Sequence, residues 1–192
     1  MENNFNIEEI IEKFGNKFDA KFMEQRKVFL WGAVHDESAK QVVNRLLYLE
    51  ATDPGKEITF YINSPGGVVT SGLVIIDAMK MISSPIKTVC MGMCASMGAM
   101  LLSQGEKGKR EMWSYGRVMI HQPSIGGAYG QASDLEITAK QMQKTKEILA
   151  TMLADSCNKS FDTIMKDFDR DFWMDANESL EYGIVDSISK KV

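Results

Sequence analysis

Short apolar runs alternate along this chain with segments of helical period, and no other feature narrows the choice of fold as much. Residues 28–34, 58–62, 86–91 and 118–121 are apolar, of strand length and supplied with β-branched side chains. Asp36 or Ser38 caps a helical run through Leu46, Leu47 and Leu49. A second helical run follows Ser64-Pro65-Gly66-Gly67, and a third begins near Ser96. Asp53-Pro54-Gly55 marks a turn, and the basic cluster Lys107-Gly108-Lys109-Arg110 reads as a solvated one. Repeated strand–helix–strand units need right-handed crossovers, so the predicted fold class is α/β, a mostly parallel sheet covered by helices.

The two ends add helices. Before Arg26, Asn6 is placed as an N-cap with Glu9 three residues on, and Ile7, Ile10, Ile11, Phe14, Phe18 and Phe22 keep helical spacing. Residues 132–158 form one long helical pattern with apolar Leu135, Met142, Ile148, Leu149, Met152 and Leu153. At 1.5 Å per residue it spans roughly 40 Å, more than a domain of this size covers, which points to an oligomer. Two short helices are predicted near residues 162–168 and 175–182, with Gly183 as a C-cap and residues 184–188 as a closing strand.

Composition excludes several functions. The net charge is −4 over 192 residues, which gives no general attraction to nucleic acid. No apolar stretch approaches the length of a membrane span, and the first residues lack the pattern of a signal peptide. Cys90, Cys94 and Cys157 are an odd number without metal-type spacing, and there are two histidines. The expectation is a cytoplasmic protein with no metal and no cofactor.

The chemistry gathers at a few positions. In Gly92-Met93-Cys94-Ala95-Ser96-Met97-Gly98, Ser96 follows a strand and opens a helix, as in a nucleophile elbow with Cys94 where that motif has its first glycine. The plainer alternative is that Ser96 is only a helix cap. A serine nucleophile needs a base, so His35 and His121 are the candidates. His35 sits in a polar loop ahead of a helix and reads as a surface or capping residue. His121 ends an apolar strand, where active sites of parallel α/β proteins gather. Gly66 and Gly67 let a backbone N–H approach a ligand, and with the Met97 N–H they would form a two-donor oxyanion hole. Four carboxylates crowd one segment, Asp167, Asp169, Asp171 and Asp175. Asp171, beside Phe172 and Trp173, is the one expected to enter an apolar setting that could hold an imidazole. Cys94 as a thiol nucleophile is a remote alternative.

Taken in order, these motifs resemble the ClpP family, the proteolytic subunits of the Clp protease. The resemblance is carried by Tyr61-Ile62-Asn63-Ser64-Pro65-Gly66-Gly67, Ala95-Ser96-Met97-Gly98, Met119-Ile120-His121-Gln122-Pro123, Asp169-Arg170-Asp171 and Glu181-Tyr182-Gly183, from about Arg26 onward. It implies a crotonase-like ββα superhelix with a protruding handle helix at about residues 131–158. It divides the chain into an axial region, residues 1–25, and a peptidase domain, residues 26–192. It implies Ser96, His121 and Asp171 as a catalytic triad, Gly67 and Met97 as oxyanion donors, and Gly126 and Gly127 as the edge that binds substrate as an added strand. Asp169 and Arg170 become contacts between rings. The implied activity is endopeptidase action on unfolded polypeptides inside two stacked heptameric rings, fed by an AAA+ unfoldase. A mixed ring with a paralogue, with this chain inactive or weakly active alone, is one alternative. An acyl-CoA hydratase or isomerase on the same fold is the other. The chain departs from the family pattern at residues 3–22, by an extra residue within residues 121–127, and at Trp31, Met112, Trp113 and Tyr129.

Overall fold

The computed structural model describes residues 17–127 and 129–189. The predicted helix over Ile7, Ile10, Ile11 and Phe14 lies outside the described residues, and residues 17–24 are helical. Strands β1 (Lys27–Trp31), β2 (Ile58–Ser64), β3 (Ile86–Ala95), β4 (Arg110–Trp113) and β7 (Ser187–Ser189) form one sheet in the order β1-β2-β3-β4-β7, all parallel. Strand β5 (Arg117–Ile120) pairs with the far end of β3, and β6 (Phe172–Met174) runs antiparallel to β5. The mostly parallel sheet expected from the alternation is therefore present.

Alternation decides which face is core. Val28 and Leu30 of β1 and Ile58, Phe60, Ile62 and Ser64 of β2 point inward and are buried. Their outward neighbours Phe29 and Tyr61 stack at 5.0 Å on the opposite face. Helices α1 (Asp36–Thr52), α2 (Val69–Met81) and α3 (Met97–Ser103) cover the inner face, and every residue of α3 is buried. Helix α1 is capped by His35, not by Asp36 or Ser38. The His35 Nδ1 accepts the Ser38 N–H at 3.3 Å, while Ser38 Oγ accepts the His35 N–H at 3.0 Å.

Helix α4 (Ala132–Cys157) spans 26 residues and ends at Asn158 in the left-handed conformation. Only its last turns, through Leu149, Ala150, Leu153, Ala154 and Cys157, are buried. Residues 132–148 stand clear of the core. The short helices α5 (Phe161–Asp167) and α6 (Ala176–Tyr182) follow, α6 opening on an Asp175–Glu178 capping box and closing at Gly183. Among the described residues no helix is long and apolar enough to cross a membrane.

Several elements differ from the sequence expectation: β1 ends at Trp31 rather than at residue 34, and the closing strand is Ser187–Ser189 rather than 184–188. Strand β3 does not stop at Met91 but continues to Ala95, because Gly92 (φ +78°) bends the strand without ending it. Strands β4 and β6 are additional to the predicted set. Arg110 is not part of a solvated turn. Its side chain is 5% exposed and pairs with Asp186 (Nη2–Oδ1 2.5 Å, Nε–Oδ2 2.9 Å), while Nη1 donates to the Ser156 carbonyl at 2.8 Å. Burial alone would raise the Asp186 carboxyl, but the Arg110 hydrogen bonds outweigh it and hold the group below its ordinary value.

Candidate active site

Strand β3 delivers Ser96 to the end of the sheet. Residues 93–95 pair with residues 117–119 of β5, and the Ser96 N–H donates to the Met119 carbonyl at 2.8 Å. The chain then turns sharply, with Ser96 at φ 53° and ψ −121°. A residue other than glycine held in such a region costs about 1–3 kcal/mol, and it persists only where the surroundings enforce it. Here the enforcement comes from the β5 hydrogen bond on one side and from α3 on the other, where Ala99 and Met100 donate to the Ser96 carbonyl. Ser96 occupies the N-cap position of α3, yet its side chain makes no cap hydrogen bond. Its Oγ lies 2.9 Å from His121 Nε2 instead.

His121 follows directly on β5 and its side chain is 25% exposed. The antiparallel register places Ile120 opposite Phe172, so the next pair outward is His121 and Asp171. His121 Nδ1 lies 3.2 Å from Asp171 Oδ1. The other three carboxylates have different partners. Asp167 accepts the Tyr182 hydroxyl at 3.0 Å, Asp169 accepts from Gln122 Nε2 at 3.2 Å, and Asp175 caps α6. Asp171 does not enter an apolar setting, since its side chain is 61% exposed. Strand β6 is three residues long at the margin of the sheet, and Phe172 and Trp173 are themselves exposed, so they build no pocket around the carboxylate.

The glycine loop lies against the same turn. Val34 bridges Gly67 in parallel fashion, its N–H donating to the Gly66 carbonyl and its carbonyl accepting the Val68 N–H, each at 2.8 Å. Those bonds use Gly66 O and Val68 N, so the intervening Gly67 N–H is not part of the bridge. A Cβ on Gly67 (φ +148°) would stand 2.2 Å from the Val34 carbonyl oxygen. Met97 is the first residue of α3, where an N–H has no partner within the helix.

The remaining predicted residues lie nearby. Gly126 and Gly127 belong to the irregular segment between β5 and α4 and are exposed. Tyr129 beside them is 98% exposed. Asp169 and Arg170 form an exposed turn before β6, with Arg170 Nη1 donating to the Asp169 carbonyl at 3.2 Å. Cys94 is buried, its thiol 3.4 Å from the Ile62 carbonyl. Burial raises that thiol well above its ordinary value, so Cys94 is not poised as a nucleophile.

A sequence profile of the Clp protease family matches residues 12–192. The chain belongs to the Clp protease family. It is 51% identical over 169 residues to the ATP-dependent Clp protease proteolytic subunit of Bacteroides fragilis, covering 88% of this chain and 81% of that protein. The same subunit from a second strain of that species and from Bacteroides thetaiotaomicron is also 51% identical, with 76% of each protein covered. This Clp-type chain is a serine peptidase, and its α/β architecture is the ClpP/crotonase-like fold. Family membership selects peptide hydrolysis over acyl-CoA chemistry.

Sequence reasoning took Asn63 only as part of a loop motif, although it touches β3 directly. The Met93 N–H donates to Asn63 Oδ1 at 3.3 Å. The available signal was Gly92, a lone glycine between Ile86–Met91 and Met93-Cys94-Ala95, which suggests a bulge where the strand continues past it.

Proposed function

We propose that Ser96 is the nucleophile, His121 the general base and Asp171 the carboxylate that orients the imidazole. The observation that carries this reading is the 2.9 Å contact between Ser96 Oγ and His121 Nε2, within reach for proton transfer. A carboxylate beside Nδ1 favours the tautomer with its proton there and leaves Nε2 free to accept. As Ser96 Oγ attacks a peptide carbonyl, His121 takes its proton. The Gly67 and Met97 N–H groups stabilise the oxyanion, and the proton passes from His121 to the departing amine. Water, deprotonated by His121, then attacks the acyl-enzyme; the ester bond to Ser96 Oγ breaks, His121 returns the proton to that oxygen, and the second product leaves.

The substrates are unfolded polypeptides, bound in extended form beside Gly126 and Gly127 and recognised mainly through their backbone. The clear-standing residues 132–148 of α4 suit a handle between two stacked heptameric rings, with Asp169 and Arg170 at the ring contact. An AAA+ ATPase feeds the chamber, in a reducing cytoplasm that suits three free thiols. Peptide hydrolysis by the purified chain, run with Ser96→Ala and with sizing of both proteins, tests this reading. The expectation is a ring-sized assembly in both and turnover only in the unmodified protein. Continued cleavage by Ser96→Ala would remove the assignment, and a monomer with full activity would remove the ring.

A further inference from the structure

Strands β2 and β3 run in step from Ile58 opposite Ile86 to Ile62 opposite Cys90, but the next pair is Ser64 with Cys94. An advance of two residues on β2 is matched by four on β3. The surplus lies between Cys90 and Cys94, where Gly92 takes the positive φ. A bulge of this kind breaks the ladder and leaves backbone groups that need other partners. One of them, the Met93 N–H, donates to the side-chain carbonyl of Asn63. The same oxygen lies over Gly92, 3.1 Å from where a Cβ there would stand.

The bulge is also where β3 changes neighbours, from β4 over residues 88–90 to β5 over residues 93–95. Ser96 comes directly after, while His121 directly follows β5. The β3–β5 ladder ties Ser96 to the strand that carries on into His121, so a slip at the bulge moves the pair against β2 and the glycine loop that follows it. Asn63 begins the segment that carries Gly66 and Gly67. Ser64 Oγ accepts the Gly66 N–H at 3.1 Å, and a Cβ on Gly66 would stand 2.6 Å from Ser96 Cβ. Residues 63–67 thus hold β3 at one end through the Asn63 side chain and lie against Ser96 at the other.

We propose that Asn63 is a positioning residue for the peptidase reaction: its side-chain carbonyl fixes the β3 bulge and so sets Ser96 in register with the Gly66–Gly67 loop and its backbone donor. The inference rests on the reading of Ser96 as nucleophile. Aspartate can replace the acceptor oxygen, whereas leucine and alanine cannot, and alanine adds no bulk.

The test compares Asn63→Asp, Asn63→Leu and Asn63→Ala with Ser96→Ala in the full chain. Peptide kcat and KM, the rate of phosphonylation by a fluorophosphonate, and hydrogen exchange at the Met93 amide are measured. For Asn63→Leu and Asn63→Ala we expect kcat and phosphonylation to fall by about 10- to 100-fold with KM within about twofold. The Met93 amide should exchange faster in both, and Asn63→Asp should recover most of the kcat and the slow exchange. Unchanged kcat in the alanine variant, KM rising in step with the loss, or an aspartate variant no better than alanine would each overturn the proposal. If leucine prevents folding, alanine and aspartate decide it alone. Turnover retained by Ser96→Ala would instead overturn the nucleophile assignment and the positioning role of Asn63 with it, while Met93 exchange would still report separately whether Asn63 holds the bulge.

Discussion

Replacing Gly66 with alanine puts a methyl group against the backbone of the turn that carries Ser96. The new Cβ would stand 2.6 Å from Ser96 Cβ, 2.7 Å from the Ala95 carbonyl oxygen and 2.9 Å from the Met97 nitrogen. Ordinary contacts begin near 3.4 Å, so about 0.8 Å must open on the serine side alone. None of these neighbours is the free end of a flexible side chain. Gly66 cannot retreat freely either, since its carbonyl accepts from Val34 at 2.8 Å and its N–H donates to Ser64 Oγ at 3.1 Å. The displacement is therefore shared with Ser96, and a misplacement near 1 Å costs about 100-fold in rate. The positive φ of +92° adds about 1–3 kcal/mol of backbone strain once a side chain is present. Gly108→Ala separates the two effects, because Gly108 has φ +86° and nothing within 4 Å of its would-be Cβ. Both variants should melt at lower temperature, but only Gly66→Ala should lose kcat and the rate of phosphonylation. Gly66→Ala with kcat within about threefold of the unmodified protein, or equal kcat losses in both variants, would refute the steric argument.

Asp171→Asn should lower kcat by about 100-fold, less than the ~10⁴ seen for a buried triad carboxylate, because solvent screens an exposed one; a full 10⁴-fold loss, or none, in peptide turnover would contradict this. The Ser83 and then the Ser84 hydroxyl, with both N–H groups, donate to Glu50 and lower its carboxyl from 4.5 to about 2. A lowered folded-state value means the contribution to stability is present above pH 4.5 and is lost as pH falls towards 2. Glu50→Gln should therefore flatten the acid limb of melting temperature against pH, and an unchanged slope would contradict the assignment. Cys94→Ala should keep peptidase activity and cost about 1 kcal/mol of stability through the small cavity it leaves. A loss of turnover in that variant, or inactivation by iodoacetamide that the variant escapes, would restore Cys94 as a candidate.

The parts of the site that sequence made legible are those fixed by local grammar. Ser96 after an apolar strand, paired glycines after another and His121 at a third strand's end need only a parallel sheet to bring them to one edge. The long helix was legible because its periodicity runs unbroken for 26 residues. Asp171 was harder, because what selects it is the register of β6 on β5, and three residues carry no alternation to read. Its solvent exposure followed from the same short strand. Arg110 was misread because the group that buries it, Asp186, is remote in sequence, and a local basic cluster says nothing of it. The role of Asn63 depends on a register shift between two strands, and each strand looks regular alone.

The serine-peptidase mechanism turns on the identity of the reacting oxygen. Phosphonylation of the assembled protein with a fluorophosphonate, followed by mass mapping of the modified peptide, measures it. With Ser96 as nucleophile, one adduct per chain forms, on Ser96, in parallel with loss of peptidase activity, and none forms in Ser96→Ala. An adduct on any other residue, or inactivation that leaves Ser96 unmodified, would contradict that assignment.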